Sequence, residues 1–379
     1  MLFTPDFYFV FALVQSILFL LLIRFLDLYE REPLSILAIM AVWGAVGAGA
    51  LSSLGNALVS QLVNLLSPEV EIAFGAAISA PLVEETTKGA ALVVVFALSY
   101  LAARRFGGLE FNGVTDGIVY GAAIGLGFSF GEDILYFLIY TVEGGLESGL
   151  EVYRTRVDFL GVGQLGHAVM TGIFGAGLGL ATWSRSWLAK IFFALLGLGI
   201  AMSIHAVHNG LMGLILVLRF GLVDTAAWLG GTGVQQALAQ QMEATANSAA
   251  LLVKVLDHAF AATFFLSICL WLLYQRRVIW AELAEEVDTG LISREEWEIM
   301  PRYWRRSRWY WQVLWSGKVE QWRVLRRVHN ELVDLAFLKW RVRRMGGDLD
   351  SVERLRRRIQ NLRSQEIVEL TDRAQSGAG

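Results

Sequence analysis

Two adjacent carboxylates stand inside a long apolar region, in the stretch Ala-Pro-Leu-Val-Glu-Glu-Thr-Thr-Lys that ends at Lys88. One charged side chain at the centre of a membrane helix costs about 2.5–3.5 kcal/mol, so Glu84 and Glu85 together are expensive at membrane depth. On a helix, Lys88 lies one turn after both acids and can pair with either. The three residues therefore indicate a catalytic site, an ion or proton pathway, or a buried triad that only neutralises itself.

Three further polar interruptions of apolar segments supply the other candidate residues. Phe128 and Glu132 are four residues apart, as are His205 and Asn209, so each pair shares one helix face. His167 begins a Gly-rich segment. Taken alone, each residue has a structural explanation. Glu132 could join two helices by hydrogen bonds, and His167 could be a histidine at the membrane interface. The combination favours one shared polar site.

Small residues surround the Glu132 segment and predict that helices pack closely there. These residues are Gly121, Gly125, Gly127 and Gly131. Glycine lets helix backbones approach one another within a membrane. In the last motif His205 is favoured over His208, because His205 shares its helix face with Asn209.

The composition indicates an all-α polytopic membrane protein, since 55% of the 379 residues are hydrophobic. The first apolar run lacks a basic leader and a small-residue cleavage site, so we expect a retained helix and not a signal peptide. A membrane-spanning helix needs about 20 apolar residues. Seven such spans are predicted, near 7–26, 34–54, 71–103, 116–141, 163–183, 188–218 and 251–275.

Basic residues in the short connections predict the orientation, because Lys and Arg are enriched on the cytoplasmic side. They follow the first, third, fifth and seventh spans, at Arg24, Arg31, Arg104, Arg105, Arg185, Lys190, Arg276 and Arg277. The N-terminus is therefore predicted outside and the C-terminus in the cytoplasm. With this orientation Glu84, Glu132, His167 and His205 all fall between the membrane midplane and its outer face.

Pro81 is expected to break the third span, because proline lacks a backbone donor and tends to begin or kink a helix. A helix that begins at Pro81 would place Glu84 and Glu85 in its first turn, where carboxylates are least costly.

The charge distribution divides the chain into a transmembrane core, residues 1–275, and a basic helical cytoplasmic tail, residues 276–379. From Arg276 onward there are 21 Lys and Arg against 16 Asp and Glu. Arginine alternates with glutamate there, so we expect contact with the lipid bilayer and not with nucleic acid; a regulatory role for the tail is a weaker hypothesis. The Trp- and Arg-rich segment from Trp304 to Trp322 suits the headgroup region.

Helix signals recur through the tail. Ser293 to Glu296 reads as a capping box, and two helices near 319–345 and 350–370 are expected to form a hairpin. Cys269 is the only cysteine, so a cysteine-ligated metal site is excluded.

The motifs resemble those of the PrsW family of intramembrane proteases, in a clan that also holds the CAAX prenyl endopeptidases and the APH-1 subunit of gamma-secretase. The resemblance covers about residues 34–218 and leaves the tail unassigned. Asp133 departs from the pattern, where asparagine is expected. The matching motifs are Glu-Glu-x-x-Lys at Glu84–Lys88, Phe-x-x-x-Glu at Phe128–Glu132, the membrane histidine His167, and His-x-x-x-Asn at His205–Asn209.

The resemblance implies peptide hydrolysis within or just outside the bilayer. Such a reaction needs an activated water, a base and donors for the oxyanion. Glu84 is predicted as the base, with Glu85 supporting it, and Asn209 as an oxyanion donor together with His205. Serine and cysteine nucleophiles are disfavoured, since no serine motif is present and Cys269 lies away from the cluster.

Two mechanisms remain open for the water. Glu132, His167 and His205 form a two-histidine, one-carboxylate set that suits a Zn²⁺ ion with one open position. The same residues also suit a metal-free glutamate mechanism, as is proposed for the prenyl-endopeptidase relatives.

By analogy with the family, the expected substrates are single-span membrane proteins or peptides such as anti-sigma factors, cut by a site-1-type cleavage at a prokaryotic plasma membrane. Two alternatives compete with the protease. An ion- or proton-translocating protein would use the same acids and histidines as a relay, and an APH-1-like scaffold would use them without catalysis.

Overall fold

The computed structural model describes residues 5–29, 32–63, 74–106, 111, 113–156, 162–228, 233–346 and 349–376. Within these residues every regular element is a helix, which confirms the all-α class. The chain divides into two compact units, Met1–Leu26 with Glu32–Leu266, and Asp27–Arg31 with Ser267–Gly379.

The first unit is a set of long helices with two π-helical segments. Its elements are α1 (Pro5–Leu26), α2 (Leu34–Val42), a π-helical segment (Trp43–Ala48), α3 (Gly49–Val63), a second π-helical segment (Gly75–Ser79), α4 (Ala80–Phe106), α5 (Val114–Arg156), α6 (Val162–Thr182), α7 (Trp187–Trp228) and the first part of α8 (Gly233–Glu282). The first half of α5 is central, since every residue from Gly113 to Ser129 is buried.

Five helices of the described chain are long and apolar enough to cross a membrane. The first predicted span corresponds to a shorter apolar helix, Phe9–Phe25, and the third corresponds to α4, which carries the three charged residues Glu84, Glu85 and Lys88. The chain is therefore a polytopic membrane protein, and the count of seven stays a prediction. The five helices are Leu34–Val63, Val114–Tyr153, Leu165–Thr182, Trp187–Ile215 and Gln240–Asp288.

Glycines bring α5 into backbone contact with α6, as the glycine pattern predicted. A Cβ atom added at Gly117 would lie 1.9 Å from the carbonyl oxygen of Gly175, and one added at Gly125 would lie 2.2 Å from that of His167. Gly121 faces Thr171 in the same way, so the two helices pair at every fourth residue in antiparallel register. This contact sets the depth of His167 relative to α5.

A second glycine face of the same helix meets the α2 region. Added Cβ atoms at Gly127 and Gly131 would lie 1.9 Å and 2.5 Å from the carbonyl oxygens of Ala41 and Ala45. The α5 helix is thus held on two sides by backbone contacts, which leaves little freedom in the position of Glu132, one residue after Gly131.

The α5 helix reverses direction at Gly145, whose φ of 82° and ψ of 174° lie outside helical values. Only glycine adopts this backbone conformation readily. After the reversal the chain packs on the preceding turns, with the rings of Phe137 and Tyr153 5.8 Å apart. Arg156 consequently returns to the level of Glu132.

The break expected at Pro81 is wrong in detail. Helical structure continues through Pro81, because α4 begins at Ala80 directly after the π-helical segment Gly75–Ser79. The wider π-helical turn precedes the proline, which has no N–H to donate. Glu84 and Glu85 therefore lie beyond the first turn of α4, in which no acidic residue stands.

The second unit combines the end of α8 with five shorter helices. These are α9 (Ala284–Asp288), α10 (Arg294–Ile299), α11 (Tyr303–Trp315), α12 (Val319–Met345) and α13 (Leu349–Ser376). The serine cap of the predicted capping box is confirmed, since Ser293 accepts a hydrogen bond from the backbone N–H of Glu296, whereas the Glu296 carboxylate contacts Arg363 and His329. The apolar core of the second unit includes Ile279, Leu283 and Leu332, all fully buried.

Candidate active site

The acids of α4 lie against their own lysine inside the protein. Glu84 is 6% exposed, and Glu85 and Lys88 are fully buried. The Lys88 ammonium donates to Glu85 Oε1 at 2.5 Å and lies 3.9 Å from Glu84 Oε2. The helical spacing therefore pairs the lysine mainly with Glu85, and Glu84 is left for other contacts.

His167 links this group to α5. A lysine ammonium can only donate, so the 2.9 Å contact between Lys88 Nζ and His167 Nδ1 makes that nitrogen an acceptor. The other nitrogen, Nε2, then carries the proton and donates to Glu132 Oε2 at 3.1 Å. The Phe128 ring covers both partners, with centroid distances of 4.3 Å to Lys88 Nζ and 4.9 Å to the His167 ring.

His205 approaches the acids from α7. Its Nδ1 lies 2.9 Å from Glu85 Oε1, so it donates its proton to that carboxylate. Its Nε2 accepts from the Asn209 amide at 3.0 Å and lies 3.6 Å from Glu84 Oε2. His208, the less favoured histidine, instead contacts Asp257, with 2.9 Å between its Nδ1 and the carboxylate.

One carboxylate oxygen of Glu84 is buried without a hydrogen bond. Oε1 accepts from Asn56 at 3.5 Å, whereas Oε2 is buried without a hydrogen-bond partner in the described chain. Such an atom is costly unless something occupies the space beside it. One ligand atom each from Glu84, His167 and His205 lie within 4.8 Å of one another.

This candidate metal-binding set differs from the predicted one, because its carboxylate comes from Glu84 and not from Glu132. Two histidines and one carboxylate are the donor set of many catalytic zinc sites. The residues fit a metal, because Glu84 Oε2 accepts no hydrogen bond in the described chain and the Glu85 carboxylate holds the other nitrogen of the His205 ring, Nδ1. To bind a metal, His167 would have to exchange its bond to Lys88 or to Glu132, and His205 Nε2 would have to exchange its bond from Asn209.

The Glu132 carboxylate is held instead by a residue that sequence reasoning did not select. Arg156 donates from Nη2 to Glu132 at 2.5 Å and from Nε to Asp133 at 2.8 Å, and its guanidinium covers the Tyr136 ring at 4.3 Å. In the sequence Arg156 is one cation of an acid-rich connection. The preceding Gly144-Gly145 pair is the signal that could have indicated the reversal.

Two further polar residues support the acids. Asn56, from α3, donates to Glu84 and accepts from Ser79 at 3.3 Å. Thr171, one turn after His167, donates to Glu85 at 3.4 Å. Lone Asn and Thr residues in apolar helices carry no sequence signal that distinguishes them from packing residues.

Comparison with protein families places these residues in a known context. Residues 32–231, just over half of the 379-residue chain, match the family described as PrsW family intramembrane metalloprotease. The chain belongs to the PrsW family. The matched range contains every candidate site residue. No curated protein and no solved structure matches the chain.

Membership of the PrsW family identifies this chain as an intramembrane protease of the metallopeptidase type, whose substrates are membrane-anchored proteins in a lipid bilayer. It therefore favours the protease over the ion-translocating and scaffold alternatives. In the PrsW chain all four motifs meet, from α4, α5, α6 and α7, and their side chains form one connected polar cluster.

Proposed function

We propose that the chain hydrolyses peptide bonds of single-span membrane proteins at the cluster of Glu84, His167 and His205. The observation that carries this proposal is the buried Oε2 atom of Glu84, which accepts no hydrogen bond in the described chain and lies 3.6 Å from His205 Nε2. A buried acceptor without a donor is a place where a cation fits.

We assign Glu84, His167 and His205 as ligands of a zinc ion. The ligand types and the three-residue count are those of catalytic zinc sites. When bound, zinc supplies a reactive hydroxide at neutral pH and polarises the scissile carbonyl. The assignment exchanges the sequence-predicted roles of Glu84 and Glu132, because Glu132 is already engaged by Arg156 and His167.

The remaining residues supply proton transfer, charge balance and an oxyanion donor. Glu132 is the most exposed of the three acids, with 17% of its side chain accessible, and we assign the proton transfer to it. Lys88 balances the charge of Glu85, which in turn orients His205. Asn209 donates to His205 Nε2 in this structure, and a metal bound by that nitrogen would release the amide, which we assign to the oxyanion.

We also propose that cleavage occurs in the outer half of the membrane, with the N-terminus outside and the tail in the cytoplasm. The basic residues of the short connections support this orientation. By family analogy, anti-sigma factors at a prokaryotic plasma membrane are the proposed substrates, so cleavage would begin a signalling cascade.

The test uses the full-length protein in liposomes with a labelled single-span anti-sigma factor as substrate. His205→Gln is compared with His208→Gln, which changes the same residue type one turn away and outside the cluster. We expect His205→Gln to lose bound zinc and at least about 10³-fold in turnover, whereas His208→Gln keeps both. Zinc is quantified by elemental analysis and cleavage by mass spectrometry of the products.

Other results would contradict the proposal in specific ways. A fully active, zinc-free wild type would favour the metal-free glutamate mechanism. Equal effects of the two histidine variants would remove His205 from the site. Ion flux that depends on Glu84, without any cleavage of the substrate, would point to the translocation alternative.

A further inference from the structure

An open cavity of about 480 Å³ lies in the second unit, at the end of the apolar part of α8. Its lining residues are Leu273, Arg276, Arg277, Trp280 and Arg302. The first four are spaced i, i+3, i+4 and i+7, so they share one face of α8. Along this face the apolar side chain of Leu273 is followed by the guanidinium groups of Arg276 and Arg277 and then by the indole of Trp280.

The three guanidinium groups of the cavity have no ion-pair or hydrogen-bond partner in the described part of the chain, and no acid lines the cavity. Three buried acids of the same unit are engaged by other cations. Glu282 pairs with Arg343, Glu286 with Lys339 and Arg356, and Glu296 with Arg363. The cavity therefore carries three guanidinium groups that take part in none of these ion pairs.

The walls of the cavity are held by contacts outside it. Trp280 packs on Trp297 with ring centroids 4.0 Å apart, and the Trp297 indole donates to the Trp280 carbonyl at 2.9 Å. The carbonyl of Pro301, next to Arg302, accepts from the Tyr29 hydroxyl at 3.0 Å. An anion entering this site meets donors on an ordered backbone, which lowers the entropy cost of binding.

We propose that this cavity binds the phosphate of an anionic membrane lipid. Guanidinium groups match phosphate oxygens through paired N–H donors, and three of them converge here. Leu273 lies one turn before Arg276 and Arg277, at the end of the long apolar run of α8, and is 54% exposed, so it is placed to contact the acyl chains. The site is separate from the protease cluster and does not depend on the function proposed for it.

The helix that follows Arg302 favours a lipid over a soluble phosphate. On α11, Trp304, Arg308, Trp311 and Trp315 share one face, and the three tryptophans are 70%, 57% and 83% exposed. No acid occurs between Tyr303 and Trp315. Exposed Trp and Arg on a helix without acids are typical of the headgroup layer of a membrane.

The test measures lipid binding to the detergent-purified full chain by native mass spectrometry. Phosphatidylglycerol and phosphatidylcholine with the same acyl chains are the two probes. Wild type is compared with Arg276→Gln/Arg277→Gln/Arg302→Gln. The control, Arg294→Gln/Arg323→Gln/Arg357→Gln, removes the same charge at exposed positions of the same unit.

We expect phosphatidylglycerol affinity to fall on the order of fivefold for Arg276→Gln alone and on the order of a hundredfold for the cavity triple variant. The control triple variant should stay near wild type. If the cavity triple variant fails to fold, the single variant Arg302→Gln carries the same comparison.

Three results would overturn the proposal. Equal losses in the two triple variants would show a general charge effect. Equal binding of phosphatidylglycerol and phosphatidylcholine would exclude selection of an anionic lipid. Displacement of the lipid by inorganic phosphate at the same concentration would make the cavity a site for a soluble anion.

Discussion

The backbone contact between Gly125 and His167 makes a sharp prediction about the active site. In Gly125→Ala the new methyl carbon would lie 2.2 Å from the His167 carbonyl oxygen and 2.5 Å from the Ala168 nitrogen. Ordinary contacts begin near 3.4 Å, so α6 has to move by about 1 Å or more. The obstacle is backbone, which cannot rotate away as a side chain can.

The displacement acts on His167 itself, whose bonds to Lys88 and Glu132 are 2.9 Å and 3.1 Å long. Overpacking of this kind costs about 1–3 kcal/mol of stability. A misplacement of about 1 Å in a catalytic group can cost on the order of 10²-fold in rate. We therefore expect Gly125→Ala to lower both the thermal unfolding midpoint and the turnover in the liposome assay.

Gly199→Ala on α7 is the matched control, because its added Cβ meets nothing within 4 Å. Both substitutions replace glycine by alanine in a helix, which favours the helix by about 0.8–1 kcal/mol in each case. The difference in unfolding midpoint and turnover between the two variants therefore reports the contact with α6. If Gly125→Ala matches Gly199→Ala in midpoint and turnover, α5 and α6 do not touch at His167, and the site geometry is wrong.

Two further predictions concern buried charges in the two units. Lys88→Met leaves the fully buried Glu85 without its cation, so we expect a loss of about 3–5 kcal/mol, measured by thermal unfolding of the purified protein. In the second unit, burial lowers the pKa of His329, although its bond to Glu296 opposes the shift. The unfolded chain therefore takes up the proton first, and stability is lost as pH falls below about 6.5. Hydrogen exchange of α12 should show protection decreasing from pH 7.5 to 5, and His329→Gln should flatten that decrease.

Controls for both predictions lie on exposed positions. Thr86→Ala changes an exposed residue of α4 and should leave the unfolding midpoint near wild type. His258→Gln replaces an exposed histidine and should keep the pH dependence of the wild type. A Lys88→Met midpoint equal to that of Thr86→Ala would mean that the α4 acids are not buried. If His329→Gln leaves the pH dependence of hydrogen-exchange protection in α12 unchanged, His329 is not its origin.

Local spacing was sufficient to predict much of the site. The pairs Phe128 and Glu132, and His205 and Asn209, share a face because the helix period places residues four apart on the same side. The same rule brought Lys88 to the acids of α4. The hydrophobic content was enough for the all-α membrane class, and the tail helices 319–345 and 350–370 correspond to Val319–Met345 and Leu349–Ser376.

Contacts between distant segments were decided only by the tertiary structure. How closely Glu132 approaches His167 depends on how far α5 slides along α6, and that register is set by glycine contacts such as Gly125 against His167. Arg156 reaches Glu132 because the backbone reverses at Gly145. A helix period fixes which residues share a face, but it contains no information about which faces meet.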